Sequence, residues 1–358
     1  MKKRVTYHNE TDQKNILKLR EVLATLPPFV KEYFRAAEPT TTTKTRISYA
    51  YDLKVFFQFL KDVNPLYASY SLRDFTLEDL DRVTPQDLVE YMEYLKLYDS
   101  RTDASGQRLM HTNGERGLKR KISSLRSFYA FYFRHEMIST NPTVKIDMPK
   151  IHEKAIVRLD EGEVAALLDY IENCGNTLTG KAAMYYKKTK ERDLALVTLL
   201  LGTGIRVSEC VGLDVEDVDF RDNRIKVVRK GGNEAYVYFG PEVEKALKDY
   251  LPIRSGIQAC PGHEHALFYS TQRKRMGVRA VENLVEKYAS SVTTTKHITP
   301  HKLRSTYGTA LYRATDDIYL VAEVLGHKNV DTTRRHYAAM EEDMKRRAAS
   351  SVTLRSDE

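Results

Sequence analysis

Apolar residues recur at helical spacing along almost all of this 358-residue chain and alternate clearly around a single turn. The pattern predicts a mainly α fold with one small β-sheet. Tyr49, Leu53, Phe56 and Leu60 make a stripe one helix face wide, and a basic amphipathic helix should run from about Arg116 to about His135. Helix ends are marked as clearly. Thr84-Pro85 is an N-cap followed by proline at the first helical position, and Asp160-x-x-Glu163 resembles a capping box. Gly202 and Gly204 stop an apolar helix running from Asp193 to Leu201, and Thr299-Pro300 opens another. The alternating segments are Arg224–Arg229 and Ala235–Phe239, joined by Lys230-Gly231-Gly232-Asn233 as a β-hairpin.

The breaks between these runs suggest five parts. They are an N-terminal extension (1–39), a helical domain (40–142), a linker (143–156), a second, mixed domain (157–339) and a C-terminal helix or tail (340–358). In the extension, a helical pattern at Ile16, Leu19, Val22 and Leu23 is broken by Pro27-Pro28. Residues 99–114 read as a polar loop, and residues 173–190 as a Gly- and Lys-rich surface insertion.

Lysine and arginine number 57 against 49 aspartates and glutamates, a net charge of +8 that favours approach to nucleic acid without proving it. No apolar run approaches a membrane span, and the basic start lacks the apolar stretch of a secretory signal. The three cysteines, Cys174, Cys210 and Cys260, are odd in number and far apart, which excludes a disulfide scaffold. A cytoplasmic protein is the expectation.

Chemistry concentrates in the second half. Arg206 follows a glycine-terminated helix, Lys230 lies in the hairpin turn, and His301 and Arg304 share a helix face. His327 follows Gly326, and Tyr337 comes ten residues later. Each alone has a bland reading, as a carbonyl cap, a solvated lysine, a core histidine or a packing tyrosine. Together they fit attack of an oxygen nucleophile on a phosphodiester. Two arginines can hold the non-bridging oxygens bidentately, and a histidine can add a hydrogen bond. A lysine can protonate the leaving oxygen, and a tyrosine can form a covalent phosphotyrosine. No metal or other cofactor is needed. The loop Cys260-Pro-Gly-His263-Glu-His265 has no second Cys/His pair at the usual spacing and reads as polar loop rather than zinc site.

These residues resemble the catalytic set of the tyrosine recombinase family, and more narrowly its Xer-type members. The resemblance rests on Arg206, Lys230, His301-x-x-Arg304, His327 and Tyr337. Around them stand Thr-Gly-Ile-Arg-Val-Ser-Glu, Thr-Pro-His-Lys-Leu-Arg and Leu-Gly-His-Lys-Asn-Val-Asp-Thr-Thr. Leu-Arg-Ser-Phe-Tyr before Asn141-Pro142 extends it into the first domain. Lys230 follows Arg206, and His327 follows Arg304, at the intervals expected of the Xer group. Tyr337 stands one residue further from His327 than is usual, a longer spacing also found in transposon integrases. The N-terminal extension and the 173–190 insertion give the layout of the single-recombinase Xer systems.

The resemblance implies a helical core-binding (SAM-like) domain and a mixed α/β catalytic domain closing on duplex DNA as a C-shaped clamp. It implies that Arg206 and Arg304 clamp the phosphate, His301 and His327 assist, Lys230 is the general acid and Tyr337 attacks. Glu209 would orient Arg206. The basic helix would face DNA, with Arg116, Lys119, Arg120, Lys121 and Arg126 as candidate contacts and Lys44 and Arg46 as weaker ones. Two protomers per site and a homo-tetramer on two sites are implied, with a helix in residues 340–349 docking on a neighbour. The implied role is resolution of chromosome dimers, with a DNA translocase of the FtsK type as a candidate partner and no membrane. A mobile-element integrase, a type IB topoisomerase and a non-catalytic DNA-binding regulator on the same scaffold stay open.

Overall fold

The computed structural model describes residues 7–102, 108–152, 156–229 and 231–327. The chain divides into two compact units, Met1–Lys154 and Ala155–Glu358.

In the first unit, α1 (Tyr7–Ala24) and α2 (Val30–Ala37) precede the long α3 (Thr43–Val63), then α4 (Leu77–Arg82) and α5 (Pro85–Tyr94). A hairpin of β1 (Leu97–Thr102) and β2 (Arg108–Thr112) leads into α6 (Glu115–Arg134). The apolar stripe of α3 is buried as its spacing requires, with Leu53, Phe56 and Leu60 at most 2% exposed. Thr84 and Asp87 bond each other's backbone N–H reciprocally and fix the start of α5, a cap contributing about 1 kcal/mol. The core is aromatic. Phe57 and Tyr132 both pack edge-on against Phe128, and such pairs add ~0.5–1.5 kcal/mol each beyond the area they bury.

Two findings differ from the sequence expectations. Residues of the expected extension belong to this core: Leu19, Val22, Leu26, Val30, Tyr33 and Phe34 are all buried in it. The expected loop 99–114 contains most of the β1–β2 hairpin, held by backbone pairing from Leu97–Thr112 to Thr102–Arg108.

The second unit opens with α7 (Glu161–Asn173), capped by the reciprocal Asp160–Glu163 bonds that the sequence suggested. Next come α8 (Gly180–Thr203) and the short α9 (Val207–Gly212), then an antiparallel sheet of β3 (Val218–Asp219), β4 (Arg224–Val228) and β5 (Glu234–Tyr238) in that order. The helices α10 (Pro241–Ser255), α11 (Val278–Ala289), α12 (Pro300–Thr315) and α13 (Ile318–Leu325) follow. Helix α8 is the axis of the unit. Leu196, Leu199 and Leu200 are fully buried, and α7, α10 and α12 pack around it. The second half of the 173–190 segment is helical, because α8 begins at Gly180. Alanine, methionine, lysine and glutamate are good helix formers, so a polar run can extend a buried helix outward. No helix among the described residues is long and apolar enough to cross a membrane.

Candidate active site

Helix α8 ends at Gly204, whose φ of 62° places it in the left-handed region that glycine tolerates. A side chain there would have no room, since a Cβ would lie 2.3 Å from the Tyr307 ring of α12. The close approach sets the end of α8 against the helix that bears Arg304. Two residues on, Arg206 is the N-cap of α9. Its backbone N–H donates to Glu209 Oε2 at 2.9 Å and its guanidinium to Glu209 Oε1 at 2.8 Å. Glu209 is buried, so this two-point bond fixes the Arg206 side chain from below. The neighbouring Cys210 is inert, because burial pushes its thiol up to about 12.

The C-terminus of α13 is the second half of the site. Gly326 has a φ of 63°, and the N–H groups of Gly326 and His327 close back on Glu323 and Ala322 as a Schellman turn. Three arginines then bond carbonyls of the turn, Glu323 O being shared with the Gly326 N–H. Arg206 donates to Gly326 O at 3.2 Å, and the buried Arg304 donates to Leu325 O. Arg229 donates to Val324 O at 3.0 Å and to Glu323 O at 3.3 Å. The negative end of a helix dipole favours such a gathering of cations. Arg304 also donates to Gly204 O at 2.7 Å, so one guanidinium ties both glycine turns together. His327 follows directly, and His301 lies in the first turn of α12, three residues before Arg304.

The structure thus brings Arg206, Glu209, Arg304 and the His327 turn into one constellation. Lys230, Tyr337 and the 340–349 helix lie outside the described residues. Arg229 was missed from sequence, where an arginine ending a strand looks solvated.

The candidate DNA contacts of the first unit divide. Lys44, Arg116 and Lys119 are exposed. Arg120 is exposed in part, its guanidinium bonding Asp52 and Ser48 O. Lys121 is buried, with its ammonium 2.9 Å from Asn113 Oδ1 and 3.8 Å from Asp52. Arg46 is buried and paired with Glu38 at 3.0 Å. Arg126 spans the carbonyls of Thr143 and Ile146. In the Cys260–His265 loop, His265 Nδ1 lies 2.5 Å from Glu216 Oε1 and Cys260 Sγ 3.4 Å from Gln272 O.

A mainly helical chain with small sheets, ordered in this way, has the fold of the two-domain recombinases and integrases. It matches the crystal structure of XerH site-specific recombinase in a post-cleavage complex, with a TM-score of 0.62 at 18% identity, over 90% of this chain and 83% of that one. The Phage integrase family matches residues 152–344. Tyrosine recombinase XerC of Caldanaerobacter subterraneus subsp. tengcongensis is 32% identical over 320 residues, covering 86% of this chain and 82% of that protein. Tyrosine recombinase XerS of Lactococcus lactis subsp. cremoris is 28% identical over 360 residues, covering 92% and 96%. The chain belongs to the Phage integrase family: it is a tyrosine site-specific recombinase of the Xer type, from a family of enzymes that cut and rejoin DNA.

Proposed function

We propose that this recombinase cuts duplex DNA through a covalent 3′-phosphotyrosine formed by Tyr337, and that its role is to resolve chromosome dimers. The first unit serves as core-binding domain and the second as catalytic domain. The carrying observation is the convergence of Arg206 and Arg304 on the turn that precedes His327. Carbonyl oxygens hold the two guanidiniums where the oxygens of a scissile phosphate would replace them. Tyr337 Oη attacks phosphorus and releases its proton to water, and the bond to the 5′ oxygen breaks. Lys230 gives the leaving oxygen its proton, and His301 and His327 donate to the phosphate. Conservation of the phosphodiester energy in the tyrosine ester makes the step reversible, as rejoining to a new strand requires.

XerH was crystallised on a palindromic difH substrate, which supports a site read by two protomers here, with four protomers on two sites. Of the candidate contacts in the first unit, Lys44, Arg116 and Lys119 are open to phosphate. The similarity to XerC and XerS over most of the chain supports the Xer type, and the chromosomal role is proposed on that resemblance. A DNA translocase of the FtsK type is the proposed partner.

A nicked suicide substrate tests the chemistry. The wild-type chain should become covalently linked to DNA, and Tyr337→Phe should bind the site without forming the adduct. An adduct in the variant assigns the attack to another residue. Mapping the cut sites tests the role: one chromosomal locus fits dimer resolution, and the ends of an element fit integration.

A further inference from the structure

Helix α13 is poorly equipped to hold itself in place. It has eight residues, too few to be stable alone. Its apolar anchorage is the small cluster of Tyr312, Val321 and Leu325, with Tyr307, Leu311 and Ile318 packed against it. At its start Tyr319 is 71% and Leu320 38% exposed. Polar ties must therefore decide where its C-terminal turn, and with it His327, stands. Three arginines make those ties, and on the reading above two of them turn to phosphate when DNA is bound.

Arg229 is the third. It directly follows the strand β4, and its backbone is fixed by the hairpin, with its N–H on Asn233 O at 2.8 Å and its carbonyl accepting from Gly232 at 3.0 Å. Its planar fork spans two successive carbonyls, Glu323 O and Val324 O, a fit that a point-charge lysine cannot reproduce. Its Nε is buried with no hydrogen-bond partner, so part of the group has left water to make this contact. Gly326 leaves the space for it: a Cβ there would fall 1.6 Å from Arg229 Nη1. Arg229 is also the residue that directly precedes Lys230 in the chain.

We propose that Arg229 is a positioning residue for strand cleavage, clamping the end of β4 to the α13 turn and acting through His327. Arg206 and Arg304 exchange carbonyls for phosphate, while Arg229 keeps the turn in register. The proposal rests on the phosphotyrosine reading and on the part it gives to His327.

The test uses the full chain on a nicked half-site substrate, measuring binding, its salt dependence and the single-turnover rate of adduct formation. Arg229→Gln should cleave about tenfold more slowly with the half-site Kd and salt slope unchanged, and Arg229→Lys should fall in between. In a His327→Ala background, Arg229→Gln should cost less than about twofold further, because the group it positions is gone. The same tenfold loss in that background would overturn the proposal, since Arg229 would then act independently of His327. A wild-type rate in Arg229→Gln would also overturn it, as would weaker binding with a shallower salt slope, which marks a phosphate contact. If Arg229→Gln does not fold, Arg229→Lys carries the comparison in both backgrounds. A wild-type rate in His327→Ala alone refutes the role of His327 and is separable from any result at Arg229.

Discussion

The two units both gather arginine and lysine, and they use them in opposite ways. In the first, Arg46, Lys121 and Arg126 are held by Glu38, Asn113 and the carbonyls of Thr143 and Ile146. They hold that domain together. In the second, Arg206 and Arg304 hold carbonyls of a turn that also leads into His327, and Arg206 keeps about a third of its side chain in solvent. On the proposed function, those bonds are exchanged for bonds to phosphate. A basic cluster in a sequence is therefore no guide to where nucleic acid binds until the partners of each cation are known.

Replacing one cation at a time sharpens this contrast. The largest effect is expected at Arg206. Arg206→Ala should slow adduct formation by about 10²–10³-fold, the usual cost of losing a preorganised donor to developing charge, while half-site binding changes little. Single-turnover cleavage and gel shifts on one preparation check it. Arg126→Ala should do the reverse. It should destabilise the fold by about 1–3 kcal/mol in urea unfolding, because two buried carbonyls lose their donor, and leave the salt dependence of binding unchanged. Lys119→Gln and Arg116→Gln should leave stability alone and reduce the salt slope by about one unit each. A salt-slope change in Arg126→Ala, or none in Lys119→Gln, would break the comparison.

Much of this was legible in sequence. The capping residues Thr84, Asp160 and Glu163 and the terminator Gly204 act locally, so short patterns reveal them. The β4–β5 hairpin was equally plain. The inward turn of Lys121 had a readable signal that the dense run of charge hid: it lies four, seven and eleven residues before Leu125, Phe128 and Tyr132, on one buried stripe. Other features carried no such sign. Segments 97–102 and 108–112 lack apolar alternation, so nothing marked β1 and β2 before their pairing was seen. The partners of Arg229 lie 94 and 95 positions along the chain, beyond the reach of any local pattern.

The smallest expected effect concerns the buried ion cluster of the first unit. Burial pushes the Asp52 carboxyl up to about 6, against the pull of Arg120 and Lys121. A carboxyl raised above its unfolded value binds its proton more tightly when folded, so its contribution to stability grows as pH falls through about 6 towards 4. Urea unfolding of the wild type, referenced to Asp52→Asn, should shift in favour of the wild type by about 1 kcal/mol between pH 7 and pH 5. A shift of opposite sign would mean that the cations outweigh the loss of water.

The central claim is that Arg206 and Arg304, beside the α13 turn, neutralise a phosphate, and a substrate with altered charge tests it most directly. A nicked site carrying a methylphosphonate at the scissile position has one non-bridging oxygen replaced by a methyl group and bears no negative charge there. Adduct formation by the wild type and by Arg304→Ala would be measured on this substrate and on the ordinary phosphate. If Arg304 stabilises charge on that oxygen, the deficit of the variant should shrink from about 10²–10³-fold on phosphate to about tenfold or less on the neutral substrate. An equal deficit on both would make Arg304 a strut for the Gly204 and Leu325 carbonyls and nothing more, and would contradict the account.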